Sequence, residues 1–276
     1  MPQVGWKTSS GSKVPFFEAL SLAEADGEWE GFPYEVLLGM RNQSTAERPD
    51  AISVTQTLSC PRKIFLQGEE DYYVSPIDNF AMFRGTIVHT MLEDNKTDDG
   101  QTEERFERDH RGIIISGSPD SVRIINRGRR GDRHLIRDWK SAKFLPKYDN
   151  AYTNHQQQVN LYRWLLHLDP LTTDLEVVYV SMEGVRIIRL KPSQVWSDEE
   201  VESFLDRRLM PLQAQREAGR PVKYYSVEEE DLWQCEYCPV RQICYRKAAI
   251  EIRDGLLSDS SNEVQRVVPR ARKKKR

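Results

Sequence analysis

The sequence predicts an α/β domain, and three observations carry that expectation. Short apolar or alternating runs at 112–116, 120–125 and 134–140 are separated by turn residues and read as strands. A long stretch with helical spacing, 154–168, follows them. Two further strand-like runs then occupy 175–181 and 185–190. Helix, strands, helix, strands is neither an all-helical nor an all-β order.

Taken from the N-terminus, residues 1–50 are punctuated by Gly and Pro and hold two apolar patches, 14–22 and 32–40; they read as an irregular or lightly helical extension. Residues 52–67 read as a helix interrupted at Cys60-Pro61, with Ser53 or Thr55 as cap. Residues 83–93 fit a helix that places Gly85, His89 and Glu93 along one face, and 97–101 is a polar loop. The turn Gly117-Ser118-Pro119 leads into the alternating run 120–125, and an Arg- and Gly-rich hairpin-like connection leads into 134–140. Segment 154–168 is amphipathic, with Val159, Tyr162, Leu165 and Leu166 on or beside its buried face. Residues 198–218 form a charged helix and 235–245 a cysteine-rich segment. The expected organisation is an extension (1–50), one domain (51–250) and a basic, disordered tail (251–276).

With 276 residues the chain can bury a real core. No run approaches the ~18 apolar residues of a membrane span, and the first residues lack a signal-peptide layout, so a cytoplasmic protein without a membrane is expected. Its 40 Lys+Arg and 43 Asp+Glu residues give −3, but seven basic residues lie between Arg266 and Arg276, which leaves −10 on the rest. A second basic block runs from Arg123 to Lys147. That distribution suits a narrow basic track beside an acidic centre.

The centre is made by Pro119-Asp120 and, eighteen residues after Asp120, Asp138-Trp139-Lys140. Asp138 and Lys140 share a strand face while Trp139 points away, and Asp120 opens the neighbouring strand, where its carboxylate can meet that of Asp138. Two converging carboxylates repel unless a divalent cation neutralises them, and oxygen ligands suit Mg²⁺ or Mn²⁺. A lysine beside them can hold an attacking water and offset charge on a phosphate, which is the equipment of phosphodiester hydrolysis. Alone, Asp-x-Lys in a strand is more often an exposed ion pair; the constellation is what points to chemistry.

These residues resemble the signature of PD-(D/E)XK nucleases. Gln158-Val159-Asn160-Leu161-Tyr162 resembles the Q-x-x-x-Y motif of the RecB-like branch, and Arg84-Gly85-Thr86-Ile87-Val88-His89 its G-x-x-x-H helix motif, all in the family's order. The resemblance implies a restriction-endonuclease-like core, a central mixed β-sheet flanked by helices. It implies His89, Asp120 and Asp138 as metal ligands with the Trp139 carbonyl as a possible addition, and Lys140 as the catalytic lysine. Gln158 and Tyr162, one helical turn apart, would position that lysine or contact DNA. His155 is a weaker candidate and Glu93 a more remote one; His110, His134 and His167 are expected to be structural.

Four cysteines remain: Cys60, then Cys235, Cys238 and Cys244. Two disulfides, a zinc site and an iron–sulfur cluster are all compatible with the count. The one-plus-three arrangement, with Cys60-Pro61-Arg62 and Cys238-Pro239, resembles the iron–sulfur subgroup of RecB-like nucleases, which includes the CRISPR-associated protein 4 family, the AddB nuclease domain and exonuclease V. The resemblance spans about residues 52–246 and implies a 4Fe–4S cluster that clips the two ends of the domain together. It implies a Mg²⁺- or Mn²⁺-dependent DNA exonuclease preferring single-stranded or overhang ends, with a CRISPR integrase complex or a recombination helicase as partner. A non-catalytic DNA-binding subunit and a zinc-stabilised module are the rival classes. Arg127, Arg129, Arg130 and Arg133 are expected to overhang the site edge, and Arg62 and Lys63 beside the cluster are further DNA contacts. Tyr72, Tyr73, Phe80 and Phe83 are either core or a stacking gate, and Trp139 is core.

Overall fold

The structure is a computed structural model that describes residues 3–42, 51–93, 100–101, 104–128, 131–223 and 229–253. The N-terminal part contains β1 (Gln3–Lys7), β2 (Lys13–Pro15), α1 (Phe16–Asp26), β3 (Glu28–Trp29), β4 (Phe32–Pro33) and α2 (Tyr34–Arg41). It has its own apolar centre of Trp6, Ala19, Leu20, Ala23, Trp29, Leu37 and Met40. The lightly helical alternative holds, for α1 and α2 fall on the two apolar patches, while the irregular one is corrected: two tryptophans supply enough buried area to order short elements that lack long periodic runs.

The central part follows as β5 (Ala51–Ser53), α3 (Val54–Thr57), α4 (Pro61–Glu69), β6 (Tyr72–Val74) and α5 (Pro76–Glu93). Ser53 caps α3, accepting from the Gln56 N–H while the Gln56 side chain accepts from the Ser53 N–H. The break at Cys60-Pro61 is real, but residues 51–53 are strand and not helix, because they pair in parallel with β9 (Ile113–Gly117). Between α5 and β9 lie β7 (Gly100–Gln101) and β8 (Phe106–His110). Strand β6 pairs in parallel with β1, which ties the N-terminal unit to the rest.

The principal sheet is built from β10 (Ser121–Gly128), β11 (Gly131–Ser141), β12 (Thr173–Ser181) and β13 (Gly184–Arg189), in the order β13-β12-β11-β10-β7. It is mixed: β11 and β12 run parallel and the other pairs antiparallel. The parallel step requires a crossover, supplied by α6 (Thr153–Leu165). Helix α7 (Asp198–Ala218) opens on a Ser197–Glu200 capping box and closes on Gly219 in the left-handed conformation, and α8 (Arg241–Arg253) follows a short 3₁₀ segment.

Helix α6 departs from the amphipathic reading, for residues 158–165 are all buried. Two of its polar members are bonded internally. Asn160 donates to the Gln156 and Gln194 carbonyls and accepts from the Trp196 N–H, while Arg163 donates to the Leu168 carbonyl and to Asp198. The main core gathers Ile115, Ile136, Val177, Tyr179, Val159, Leu161, Trp164, Val201, Phe204 and Leu205 from these layers. Among the described residues no helix is long and apolar enough to cross a membrane.

Candidate active site

Antiparallel pairing of β10 with β11 puts Ser121 opposite Arg137, so Asp120 stands beside Asp138 at one end of the hairpin. One oxygen of Asp120 lies 3.1 Å from His89 Nδ1 on α5, and the other accepts the Trp139 backbone N–H at 2.7 Å. Asp120 thus joins α5, β10 and β11 through one carboxylate. Its hydrogen bond raises the His89 pKa above the ordinary imidazole range.

Asp138 is 1% exposed. Its Oδ2 lies 2.7 Å from Lys140 Nζ, yet the contact is off the hydrogen-bond direction and leaves that buried oxygen without an aligned donor. Burial pushes the Asp138 carboxyl up to about 6, with the neighbouring Asp120 charge adding to the rise and Lys140 opposing it. A buried carboxylate short of donors, a second carboxylate beside it and an imidazole make a donor set that suits a hard divalent cation. Among the described residues, though, no three His, Cys, Asp or Glu side chains are gathered as a ready-made metal shell. Here Lys140 supplies the counter-charge to Asp138.

Gln158 and Tyr162 come together as their spacing predicts: the Gln158 amide donates to the Tyr162 hydroxyl at 2.9 Å, and both are buried. Neither offers a surface for DNA. Burial, and then the Asp138 charge, hold the Tyr162 hydroxyl firmly protonated. Gly117 makes room for this pair, because a Cβ there would lie 2.9 Å from the Tyr162 ring. Sequence reasoning reads Gly117 only as a turn; a glycine at the end of an apolar strand run is the available signal of close approach.

Trp139 is buried, and His110, within 2.8 Å of Asp206, is structural as expected. His155 packs against Tyr179, and burial together with the Lys140 charge pulls its pKa down to about 3. The side chain of Glu93 lies outside the described residues.

The basic candidates are displaced from their expected places. The hairpin tip, where Arg127 pairs with Asp132 and Gly128 with Gly131, is at the far end of the strands from Asp120, about 23 Å away at ~3.3 Å per residue. It does not overhang the site. Arg133 is forked onto Asp174 at 2.7 and 3.2 Å, while Arg129 and Arg130 lie outside the described residues. Arg62 is fully buried, donating to the Val222 carbonyl at 2.6 Å and to Cys244 Sγ at 3.2 Å, so it is a strut and not a DNA contact. Lys63 lies in the wall of a pocket that Cys60, Cys235, Cys238 and Cys244 all line. No disulfide joins the four cysteines, which sets aside the two-disulfide option for this structure, and burial pushes Cys60 up to about 11.

The sequence profile of the PD-(D/E)XK nuclease superfamily matches residues 93–245. The fold is similar to the crystal structure of SSO0001, with a TM-score of 0.53 over 76% of this chain and 93% of that one; at 17% identity this likeness speaks for the fold alone. No curated protein matches significantly. The profile covers more than half of the chain and includes Asp120, Asp138, Lys140, Gln158 and Tyr162, the residues gathered at the end of the β10–β11 hairpin: the chain belongs to the PD-(D/E)XK nuclease superfamily.

Proposed function

We propose that the protein is a Mg²⁺- or Mn²⁺-dependent DNA exonuclease of the RecB-like, iron–sulfur branch, acting in the cytoplasm on single-stranded or overhang ends. The observation that carries the reading is the junction at Asp120, where one carboxylate meets His89 and the Trp139 N–H beside Asp138 and Lys140. His89, Asp120 and Asp138 would hold the cation, with the Trp139 carbonyl as an added oxygen; nucleases of this superfamily generally use Mg²⁺ or Mn²⁺. When bound, that cation supplies Lewis-acid stabilisation of the phosphate and of an attacking hydroxide. Lys140 holds the water and offsets charge developing on the phosphate oxygens. The Gln158–Tyr162 pair is buried near enough to Asp138 for that charge to act on the Tyr162 hydroxyl.

The cysteine pocket supports the cluster. Four thiolates on one zinc sit ~2.3 Å from it, and so about 4 Å from one another. Cys60, Cys235, Cys238 and Cys244 line one pocket, as the four ligands of a polynuclear cluster would. Arg62 donating to Cys244 Sγ, and the N–H groups of Arg62 and Lys63 that lower the Cys60 pKa, are the donors a charged thiolate needs. The proposed partners are a CRISPR integrase complex or a recombination helicase. Incubating anaerobically purified, full-length protein with end-labelled single strands in Mg²⁺, in Mn²⁺ and in EDTA tests the proposal. Metal-dependent shortening by a brown protein is expected, and intact substrate in both metals overturns it.

A further inference from the structure

The strand registers place a row of side chains beside Lys140. Lys140 pairs with Tyr179 of β12, and Tyr179 pairs with Arg186 of β13. Residues directly opposite one another share a sheet face, so the three stand side by side. Tyr179 is fully buried; its hydroxyl accepts the Tyr152 backbone N–H at 3.0 Å and lies 2.9 Å from His155 Nδ1. The rings of Tyr152, His155 and Tyr179 pack on one another, with Tyr152 edge-on to both partners at centroid distances of 5.7 Å. Tyr152 is the outer member of the group and remains 52% exposed. It is a rigidly seated ring, one residue before α6, two contacts from the lysine of the site.

The segment that leads to it continues the pattern. Between the end of β11 and Tyr152 the chain also exposes Phe144 at 60% and Tyr148 at 77%, with the side chains of Lys143 and Lys147 exposed among them. Lys143 Nζ lies 5.2 Å from the centroid of the Phe144 ring. The segment is fastened to the sheet by Arg186 donating to the Pro146 carbonyl and by the Leu145 N–H donating to Glu183 at 3.3 Å. Fixed, solvent-facing aromatic rings interleaved with cations match the demands of an unpaired polynucleotide, whose bases offer π-faces and whose backbone is anionic. Bases in a duplex are already stacked on each other and cannot offer a face.

We infer that Tyr152 is a stacking platform for an unpaired base next to the scissile phosphate, with Tyr148 and Phe144 extending the platform and Lys143 and Lys147 meeting the backbone phosphates. The inference rests on the nuclease reading of the neighbouring site and names the residues that set its preference for single strands.

The test uses the full-length protein and a single-stranded oligonucleotide carrying 2-aminopurine, whose fluorescence falls when the base stacks. Binding is read in EDTA, and cleavage of the same strand and of its duplex is read in Mg²⁺. Tyr152→Ala should abolish the quenching and raise KM for the single strand about tenfold, equivalent to about 1.4 kcal/mol and within the range of one base–aromatic stack. Tyr152→Trp should restore both readings, which a merely structural role would not do. Tyr148→Ala, at a more exposed ring, reads the same surface with little risk to folding and should raise KM by a smaller factor. Wild-type quenching and KM in Tyr152→Ala would overturn the inference. If the wild-type protein cleaves neither strand in Mg²⁺ or Mn²⁺, the nuclease reading falls, and the quenching still decides whether Tyr152 stacks on a base.

Discussion

Replacing Asp120 separates its chemical role from its mechanical one. The carboxylate is a candidate metal ligand, and it also accepts the Trp139 N–H at 2.7 Å, holding β11 to the start of β10. Asp120→Asn removes the charge but keeps a carbonyl oxygen able to accept that N–H. Asp120→Ala removes both. Leaving a buried N–H unpaired costs about 1–3 kcal/mol. In a domain of this size that corresponds to a fall in Tm of roughly 2–12 °C for Ala, at ~2–4 °C per kcal/mol. The Asn variant should melt within about 2 °C of wild type, because losing one of two neighbouring negative charges relieves the strain on Asp138. Both variants should lose on the order of a hundredfold or more in single-turnover cleavage of an end-labelled strand, as the loss of a positioned catalytic group typically causes. Thermal melts in EDTA beside cleavage rates in Mg²⁺ check the pair. Identical melting of Asn and Ala would refute the mechanical role, and near wild-type cleavage by Asn would refute the catalytic one.

Three further outcomes are expected. Lys140→Ala should cost on the order of a hundredfold in cleavage, and in EDTA it should melt below wild type because Asp138 loses its ammonium and must either bury a lone charge or take up a proton; added Mn²⁺ should narrow that gap, as differential scanning fluorimetry would show. Cleavage should stop in EDTA and be poorly supported by Ca²⁺, whose longer bonds and higher coordination number misplace the attacking water; full activity in EDTA excludes a metal-assisted mechanism. Cys60→Ser should bleach the visible absorption of the proposed cluster, release iron and lower Tm, with no recovery of cleavage in excess Mn²⁺, whereas Lys140→Ala should stay brown; an unchanged spectrum and iron content in Cys60→Ser would remove Cys60 from the cluster.

Much of the site is legible in the chain because its parts are local and periodic. Strand alternation alone puts Asp138 and Lys140 on one face, a hairpin brings Asp120 to Asp138, and one helical turn joins Gln158 to Tyr162. A cap at Ser53, one of the two positions the sequence offers, and the helix 198–218 are equally local, and the structure has both.

What tertiary structure decided are the features that depend on distant partners. Arg62 reads as a surface cation beside a cluster, but Val222 and Cys244, more than a hundred and fifty residues away, take its guanidinium into the interior. Arg127 and Arg133 read as site-edge contacts, but strand direction carries them to the opposite end, and direction is a property of the pair and not of either strand. Helix 153–165 looks amphipathic because Asn160 and Arg163 are polar; only the arrival of residues 194–198 supplies the partners that let both be buried. Composition and spacing therefore determine which groups can react together, since those groups lie within one hairpin or one helical turn. Which charges meet solvent, and where an aromatic such as Tyr152 is held beside Lys140, is settled by contacts among segments far apart in the chain, because burial and register exist only once those segments pack.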